Sequence, residues 1–184
     1  MNLDYVTPVV LATNPDRKKY QDHFFKNVPY FYRNFVIVAE QWGMELGAIR
    51  EGYSRFDKFC LIQDSMVITN WTWFWQRVNS VQTGYIIQRP SCYAMVYRKD
   101  VLDGIAIPEV GQDKEKSIQY EVGFCDEYER QARRLGYDVP NLFTGCTDGE
   151  ALKSQRFADP YGDGQRLHLR SACGTIHKFK ATYR

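Results

Sequence analysis

The sequence predicts an α/β fold in which a mostly parallel central sheet is flanked by helices within one domain. Three apolar segments carry this prediction, because continuous apolarity is typical of strands that are covered on both faces. Between them lie two segments with apolar residues at helical spacing, and this alternation predicts parallel strands joined by right-handed crossovers. The three strand segments are TPVVLAT at 7–13, NFVIVAE at 34–40 and FCLI at 59–62.

The first strand is followed by a turn at 14–16 and by a predicted helix at 16–27. Pro15 suits the first turn of that helix. Near its beginning lies the basic cluster Arg17, Lys18 and Lys19, where cations oppose the helix dipole. Such a placement is explained if the cluster faces an anion, and the alternative is a solvated helix face.

The third strand ends at the polar triplet Gln63, Asp64 and Ser65. In open α/β sheets, ligands bind beyond the carboxyl ends of the strands. Asp64 is therefore a candidate catalytic residue. The alternative is an aspartate that only stabilises a turn, since Asp followed by Ser is common where strands stop.

The segment NWTWFW at 70–75 is unusually rich in indole rings. If it is extended, Trp71, Trp73 and Trp75 share one face and could form a platform for a sugar or a base, and a core role is the alternative. Beyond it, 84–97 is interpreted as two strands interrupted at Arg89 and Pro90, followed by a short helix at 101–105.

A polar helix is predicted from residue 112 to Gly136, with Glu121 beside its buried stripe. Residues 140–163 are rich in Gly, Asp, Thr and Pro and are interpreted as a loop with one helical turn. The tail from 166 is apolar and basic, and it carries His168. The residues assigned to the buried stripe are Ile118, Val122, Cys125 and Tyr128.

Composition narrows the classes of protein. A length of 184 residues suits one domain, and 44% hydrophobic with 25% charged residues excludes a mainly disordered chain. A net charge of +2 argues against nucleic-acid binding through bulk electrostatics. Five scattered cysteines indicate reduced thiols rather than a disulfide framework. The amino terminus does not look like a signal peptide, and no stretch is long and apolar enough to span a membrane. We therefore expect a cytoplasmic protein, bacterial or in a host cell if viral.

With these elements placed, the segment WGMELGAIREGYSRFDKFCLIQDSM at 42–66 resembles nucleotide-sugar glycosyltransferases of the A-type fold, including small phage and bacterial relatives. The resemblance extends to about Arg98. It implies that the first strand and the loop after it contact the nucleoside, and that the second helix contributes contacts near the phosphates. The nucleoside contacts would be Leu11, Ala12, Thr13 and Asn14, and the phosphate contacts Gly47 and Arg50.

The family's acidic Asp-x-Asp signature is represented here by Gln-Asp-Ser at 63–65, so one carboxylate of the signature remains. The resemblance implies a divalent cation, Mn²⁺ or Mg²⁺, held by Asp64 and His177. It also implies that Lys178 or Lys180 neutralises the diphosphate leaving group, and that Glu121 is the base of an inverting enzyme.

The expected function is transfer of a sugar from a nucleotide diphosphate donor to an unknown acceptor, possibly protein or nucleic acid. Residues 1–69 would form the nucleotide-binding half, and 70–184 the acceptor-side half with the tail. A binding protein that kept this fold and lost catalysis is one alternative. A nucleic-acid-associated protein with a stacking groove built from aromatics, Arg89, Arg98 and Lys99 is another.

Overall fold

The computed structural model describes residues 6–40, 44–87, 93–111, 113–143, 156–157, 166–172 and 174–182. Within these ranges, nine strands form two sheets. The strands are β1 (Val9–Thr13), β2 (Val36–Glu40), β3 (Lys58–Gln63), β4 (Met66–Ile68), β5 (Gly84–Tyr85), β6 (Met95–Arg98), β7 (Arg156–Phe157), β8 (Arg166–Ala172) and β9 (Ile176–Thr182).

The larger sheet has the strand order β2-β1-β3-β6-β5. Strand β1 pairs in parallel with both β2 and β3, with Val9 opposite Val36 on one side and opposite Cys60 on the other. The prediction of three adjacent parallel strands is therefore confirmed. Strand β6 pairs antiparallel with both β3 and β5, so the sheet is mixed and not mostly parallel. The reason is that β6 follows β5 without a crossover helix, and only such a connection returns a strand in the same direction.

Helices cover both faces of this sheet. On the face that carries Leu11 and Ile62, the core is built with α1 and α3, and on the face that carries Val10 and Leu61 it is built with α2 and α5. The alternation of side chains along each strand assigns successive residues to opposite faces. The helices are α1 (Lys18–Asn27), a 3₁₀ helix (Tyr30–Phe35), α2 (Met44–Arg55), α3 (Trp71–Asn79), α4 (Lys99–Leu102) and α5 (Lys114–Arg134).

The tryptophan segment forms helix α3 and is not extended. Trp71 and Trp75 are buried, whereas Trp73 is 41% exposed. A spacing of four residues places Trp71 and Trp75 on one helix face, and Trp73 falls on another. The Trp75 ring stacks on Tyr32 with centroids 4.8 Å apart, and its Nε1 donates to the Thr7 carbonyl at 3.0 Å. The core interpretation therefore holds for two of the three indoles.

The buried stripe predicted for α5 is half wrong. Cys125 and Tyr128 are buried as predicted, but Ile118 and Val122 are each 53% exposed. Both exposed residues lie in the first half of the helix. The helix ends near Gly136 as predicted, because Gly136 adopts φ +82° and its N–H donates to the Arg133 carbonyl. Helix α5 is thus anchored through its carboxyl-terminal half.

The smaller sheet is antiparallel, with the order β4-β9-β8-β7. It joins the tail of the chain to the segment directly after β3, since Met66 lies opposite Lys178 and Val67 opposite His177. The sequence predicts no such pairing, and the tail was interpreted only as an apolar and basic segment.

Several sequence interpretations fall outside the described residues. Among them are the interruption at Arg89 and Pro90, most of the predicted 140–163 loop, and the side chains of His168 and Lys180. Of the five cysteines, Cys60 and Cys125 are buried free thiols, and the other three also fall outside. Among the described helices, none combines the length and apolarity that crossing a membrane requires.

Candidate site at the carboxyl edge of the larger sheet

The strand order creates a crevice between the carboxyl ends of β1 and β3. The chain runs from β1 to β2 on one side of β1 and then crosses back to β3 on the other side. A reversal of this kind is the usual position of a binding crevice in an open α/β sheet. Thr13 is the last residue of β1, and Asp64 directly follows β3, with its N–H donating to the Ala12 carbonyl at 3.2 Å.

Asp64 is held by two residues that the sequence also predicted for the site. Its Oδ2 accepts hydrogen bonds from Thr13 Oγ1 at 2.8 Å and from Arg17 Nε at 2.8 Å, and its Oδ1 accepts from Arg17 Nη2 at 2.9 Å. The carboxylate is only 3% exposed. A two-pronged contact between guanidinium and carboxylate fixes both groups in one plane. The anion that the basic cluster faces is therefore Asp64 of the same chain, whereas the neighbouring Lys18 pairs with Asp22 at the surface.

Asn14 forms the turn that brings Arg17 to this position. The Asn14 carbonyl accepts from the Arg17 N–H at 3.0 Å, and Arg17 then caps the start of α1. The Arg17 guanidinium also lies over the Tyr20 ring, 4.0 Å from its centroid. The local sequence thus directs the guanidinium toward the crevice between β1 and β3.

A second polar group lies next to Asp64. Lys178 Nζ donates to Gln63 Oε1 and to Ser65 Oγ, and Gln63 Nε2 donates to Glu45 Oε1. Lys178 is 5% exposed and Glu45 is 4% exposed. The pairing of β4 with β9 places the lysine here, because Lys178 lies opposite Met66, one residue after Ser65. The predicted site residue Lys178 therefore adjoins the predicted triplet.

Glu45 is a site residue that the sequence analysis missed. It lies in the first turn of α2, where a carboxylate normally stabilises the helix dipole, so its residue type gave no signal. Among the described residues, its Oε2 has no hydrogen-bond partner although the atom is buried. Such groups are uncommon in folded proteins and occur where a ligand or water completes the contacts.

His177 does not join this group in the way the sequence predicted. Adjacent residues of a strand point to opposite faces, so the His177 side chain lies on the other face of the β4–β9 pair from Lys178. Its side chain is half-buried, and burial lowers the pKa of the imidazole, which disfavours the charged form.

The remaining predicted residues lie on the α2 and α5 side of the larger sheet. Arg50 Nη2 donates to the Ile107 carbonyl at 2.6 Å, and its Nη1 lies 3.2 Å from a carboxylate oxygen of Glu109. Arg50 therefore fastens the segment after α4 to α2, and Gly47 lies half-buried on the same helix. Glu121 is half-buried on α5, and its Oε1 accepts from Ser117 Oγ at 3.3 Å. The structure thus groups Thr13, Arg17, Asp64 and Lys178, but none of the hydrogen bonds described here links Glu121 or Arg50 to that group.

The residues around Asp64 do not fit a divalent cation well. Mn²⁺ and Mg²⁺ prefer several hard oxygen ligands, but both Asp64 oxygens already accept from Arg17, and the neighbouring Gln63 and Ser65 oxygens accept from Lys178. Nowhere in the described part of the chain do three or more His, Cys, Asp or Glu side chains come together as a metal site.

The cations of the suggested nucleic-acid groove have local partners. Arg98 forms an ion pair with Asp100 at 2.8 Å and lies over the Tyr137 ring, while Lys99 pairs with Asp103 at 3.0 Å. The Arg98 contact lowers the pKa of Asp100 to about 2. Neighbouring carboxylates therefore neutralise both cations.

Comparisons with known proteins give no relative. No protein-family model matches the chain, and neither a curated protein nor a solved structure matches it.

Proposed function

We propose that the protein binds a nucleotide diphosphate sugar in the crevice between β1 and β3 and transfers the sugar to an acceptor. The observation that supports this proposal is the hydrogen bond between Thr13 and Asp64 across that crevice, with Arg17 on the same carboxylate. The crevice lies at the switch point of the sheet, where nucleotides bind in other open α/β folds.

The nucleoside would lie against the end of β1 and the turn at Asn14, as the resemblance implies. Arg17 and Lys178 would face the phosphates, since guanidinium and ammonium groups are the side chains that bind phosphate oxygens best. Asp64 would hold the Arg17 guanidinium in a fixed orientation, and Gln63 and Ser65 would do the same for Lys178. Pre-organised charges of this kind stabilise a leaving diphosphate without reorganisation during the reaction.

Glu121 remains the candidate base for the acceptor hydroxyl, on the basis of the resemblance. A base must reach the hydroxyl oxygen to within about 3 Å. Glu121→Gln should therefore lower turnover while preserving donor binding, because the amide has similar shape and accepts no proton. Glu127→Gln, at an exposed position of the same helix, is the matched control.

A binding protein without catalysis is the second candidate. It is favoured by Asp64, whose two oxygens are both engaged by side chains of the same chain. The decisive experiment screens nucleotide sugars by thermal shift and then measures release of nucleoside diphosphate in the presence of acceptor extracts. Binding with release supports the transferase, and binding without release supports the second candidate. Absence of binding to every nucleotide sugar would contradict both.

A further inference from the structure

We propose that this crevice works without a divalent cation and that Arg17 and Lys178 supply the positive charge in its place. The inference rests on the proposed nucleotide-sugar function, and it departs from the metal dependence that the resemblance implies. It follows from what occupies the oxygen atoms that a metal ion would need.

The first step concerns Asp64, the single carboxylate of the triplet at 63–65. Its two oxygens accept three hydrogen bonds, at 2.8, 2.8 and 2.9 Å, two of them from the Arg17 guanidinium. A metal ion that bound Asp64 would have to displace this guanidinium or lie beside its positive charge. The carboxylate is almost completely buried, so water would screen the repulsion poorly.

The second step concerns the two residues that flank Asp64. Gln63 Oε1 and Ser65 Oγ are neutral oxygens of the type that hard cations bind. Both accept a hydrogen bond from Lys178 Nζ, which also lies 5.3 Å from the centroid of the Tyr93 ring. The ammonium therefore occupies the position between these oxygens that a cation would take.

The third step concerns the predicted metal-binding histidine. His177 and Lys178 are adjacent on β9, so their side chains point to opposite faces of the β4–β9 pair. With Lys178 directed at the triplet, His177 is directed away from it. The imidazole and Asp64 therefore do not form a common ligand set.

The fourth step concerns charge. Arg17 and Lys178 carry two positive charges, and Asp64 and Glu45 carry two negative charges, so the described group is neutral. A divalent cation would add two positive charges beside two fixed cations. Glu45 Oε2 is the remaining carboxylate oxygen without a partner among the described residues. The test must therefore include this atom as a metal ligand.

The first experiment titrates Mn²⁺ alone into the wild-type protein and follows the free ion by electron paramagnetic resonance. We expect no stoichiometric binding. Binding of one Mn²⁺ per chain that is lost in Asp64→Asn or in Glu45→Gln would overturn the proposal. This measurement needs no nucleotide, so it judges the inference even if the proposed function is wrong.

The second experiment measures UDP and UDP-sugar binding by calorimetry with EDTA and with Mn²⁺. We expect equal affinity within about twofold in the two buffers, since the fixed cations do not depend on metal. We also expect Arg17→Met and Lys178→Met to weaken binding at least tenfold in both buffers, whereas Lys26→Met, an exposed change on α1, should leave it unchanged. Thermal unfolding of each variant shows whether a loss of binding reflects loss of the fold.

The outcomes separate the inference from the proposed function. Binding that requires Mn²⁺ would overturn the inference and keep the transferase proposal. Absence of binding in both buffers would overturn the transferase proposal, and the Mn²⁺ titration would then decide the inference alone. Binding in EDTA that is unaffected by both methionine variants would contradict the role given to the two cations.

Discussion

Thr13 and Asp64 are 51 positions apart in the sequence, and Thr13 Oγ1 donates a 2.8 Å hydrogen bond to Asp64 Oδ2. This contact joins the ends of β1 and β3 at the switch point of the sheet. Arg17 binds the same carboxylate from the start of α1. Two strands and one helix therefore meet at a single buried charge, which makes Asp64 a structural residue as well as a candidate site residue.

Asp64→Asn should lower the free energy of unfolding by about 2 kcal/mol, because the amide removes the charge that Arg17 contacts and places a donor against Thr13 or Arg17. Urea unfolding measures this change. Asp22→Asn is the control, since the pair of Asp22 with Lys18 is exposed and should be worth less than about 0.5 kcal/mol. Equal effects of the two substitutions would contradict the role assigned to Asp64.

Glu45→Gln should stabilise the ligand-free protein by about 1 kcal/mol, because it removes a buried charge that has an unsatisfied oxygen. The amide oxygen can still accept from Gln63. Glu127→Gln, an exposed change on α5, should alter stability by less than about 0.5 kcal/mol. A clear loss of stability in Glu45→Gln would mean that the carboxylate has partners that stabilise the fold.

Trp75→Ala should destabilise the protein by about 3 to 5 kcal/mol, because the side chain is completely buried and leaves a large cavity. Trp73→Ala should cost less than about 1 kcal/mol by comparison, since Trp73 is partly exposed and makes an edge contact with Phe143. Chemical unfolding of both variants tests the difference. Similar losses would contradict the helical arrangement of this segment.

His177 should make the fold less stable as the pH decreases. Burial lowers the pKa of His177 in the folded protein, so the unfolded chain binds the proton more readily. Its contribution is complete above the unfolded pKa of about 6.5 and is lost as the pH falls from there through the folded pKa. His177→Gln should therefore give a shallower decrease of the melting temperature between pH 7.5 and 5. An unchanged slope would contradict the assignment.

Sequence patterns predicted the parallel core because local signals determine it. Each of the first three strands is a short apolar run, and the helix between successive strands forces the parallel return. The antiparallel β6 was missed because the segment before it has no distinct period. The exposure of Ile118 was also missed, since a helical stripe shows which residues share a face but not how far along the helix a partner extends.

The candidate site was predictable in part for the same reason. Asp64 was found from its position after β3, and Arg17 from its position at the start of α1. The contact of Lys178 with Gln63 spans 115 positions and depends on the pairing of β4 with β9, which no local pattern indicates. Glu45 gave no signal because an acidic first turn is ordinary in helices.

The pairing of β9 with β4 has a consequence for synthesis of the chain. The parallel strands and α1 can form as soon as residues up to Asp64 have left the ribosome, because their contacts are local. Lys178 reaches the triplet only after more than a hundred further residues have been made, and long-range strand pairing is slow. The nascent chain therefore carries Asp64 and Glu45 before the lysine arrives, and the crevice acquires its second cation last.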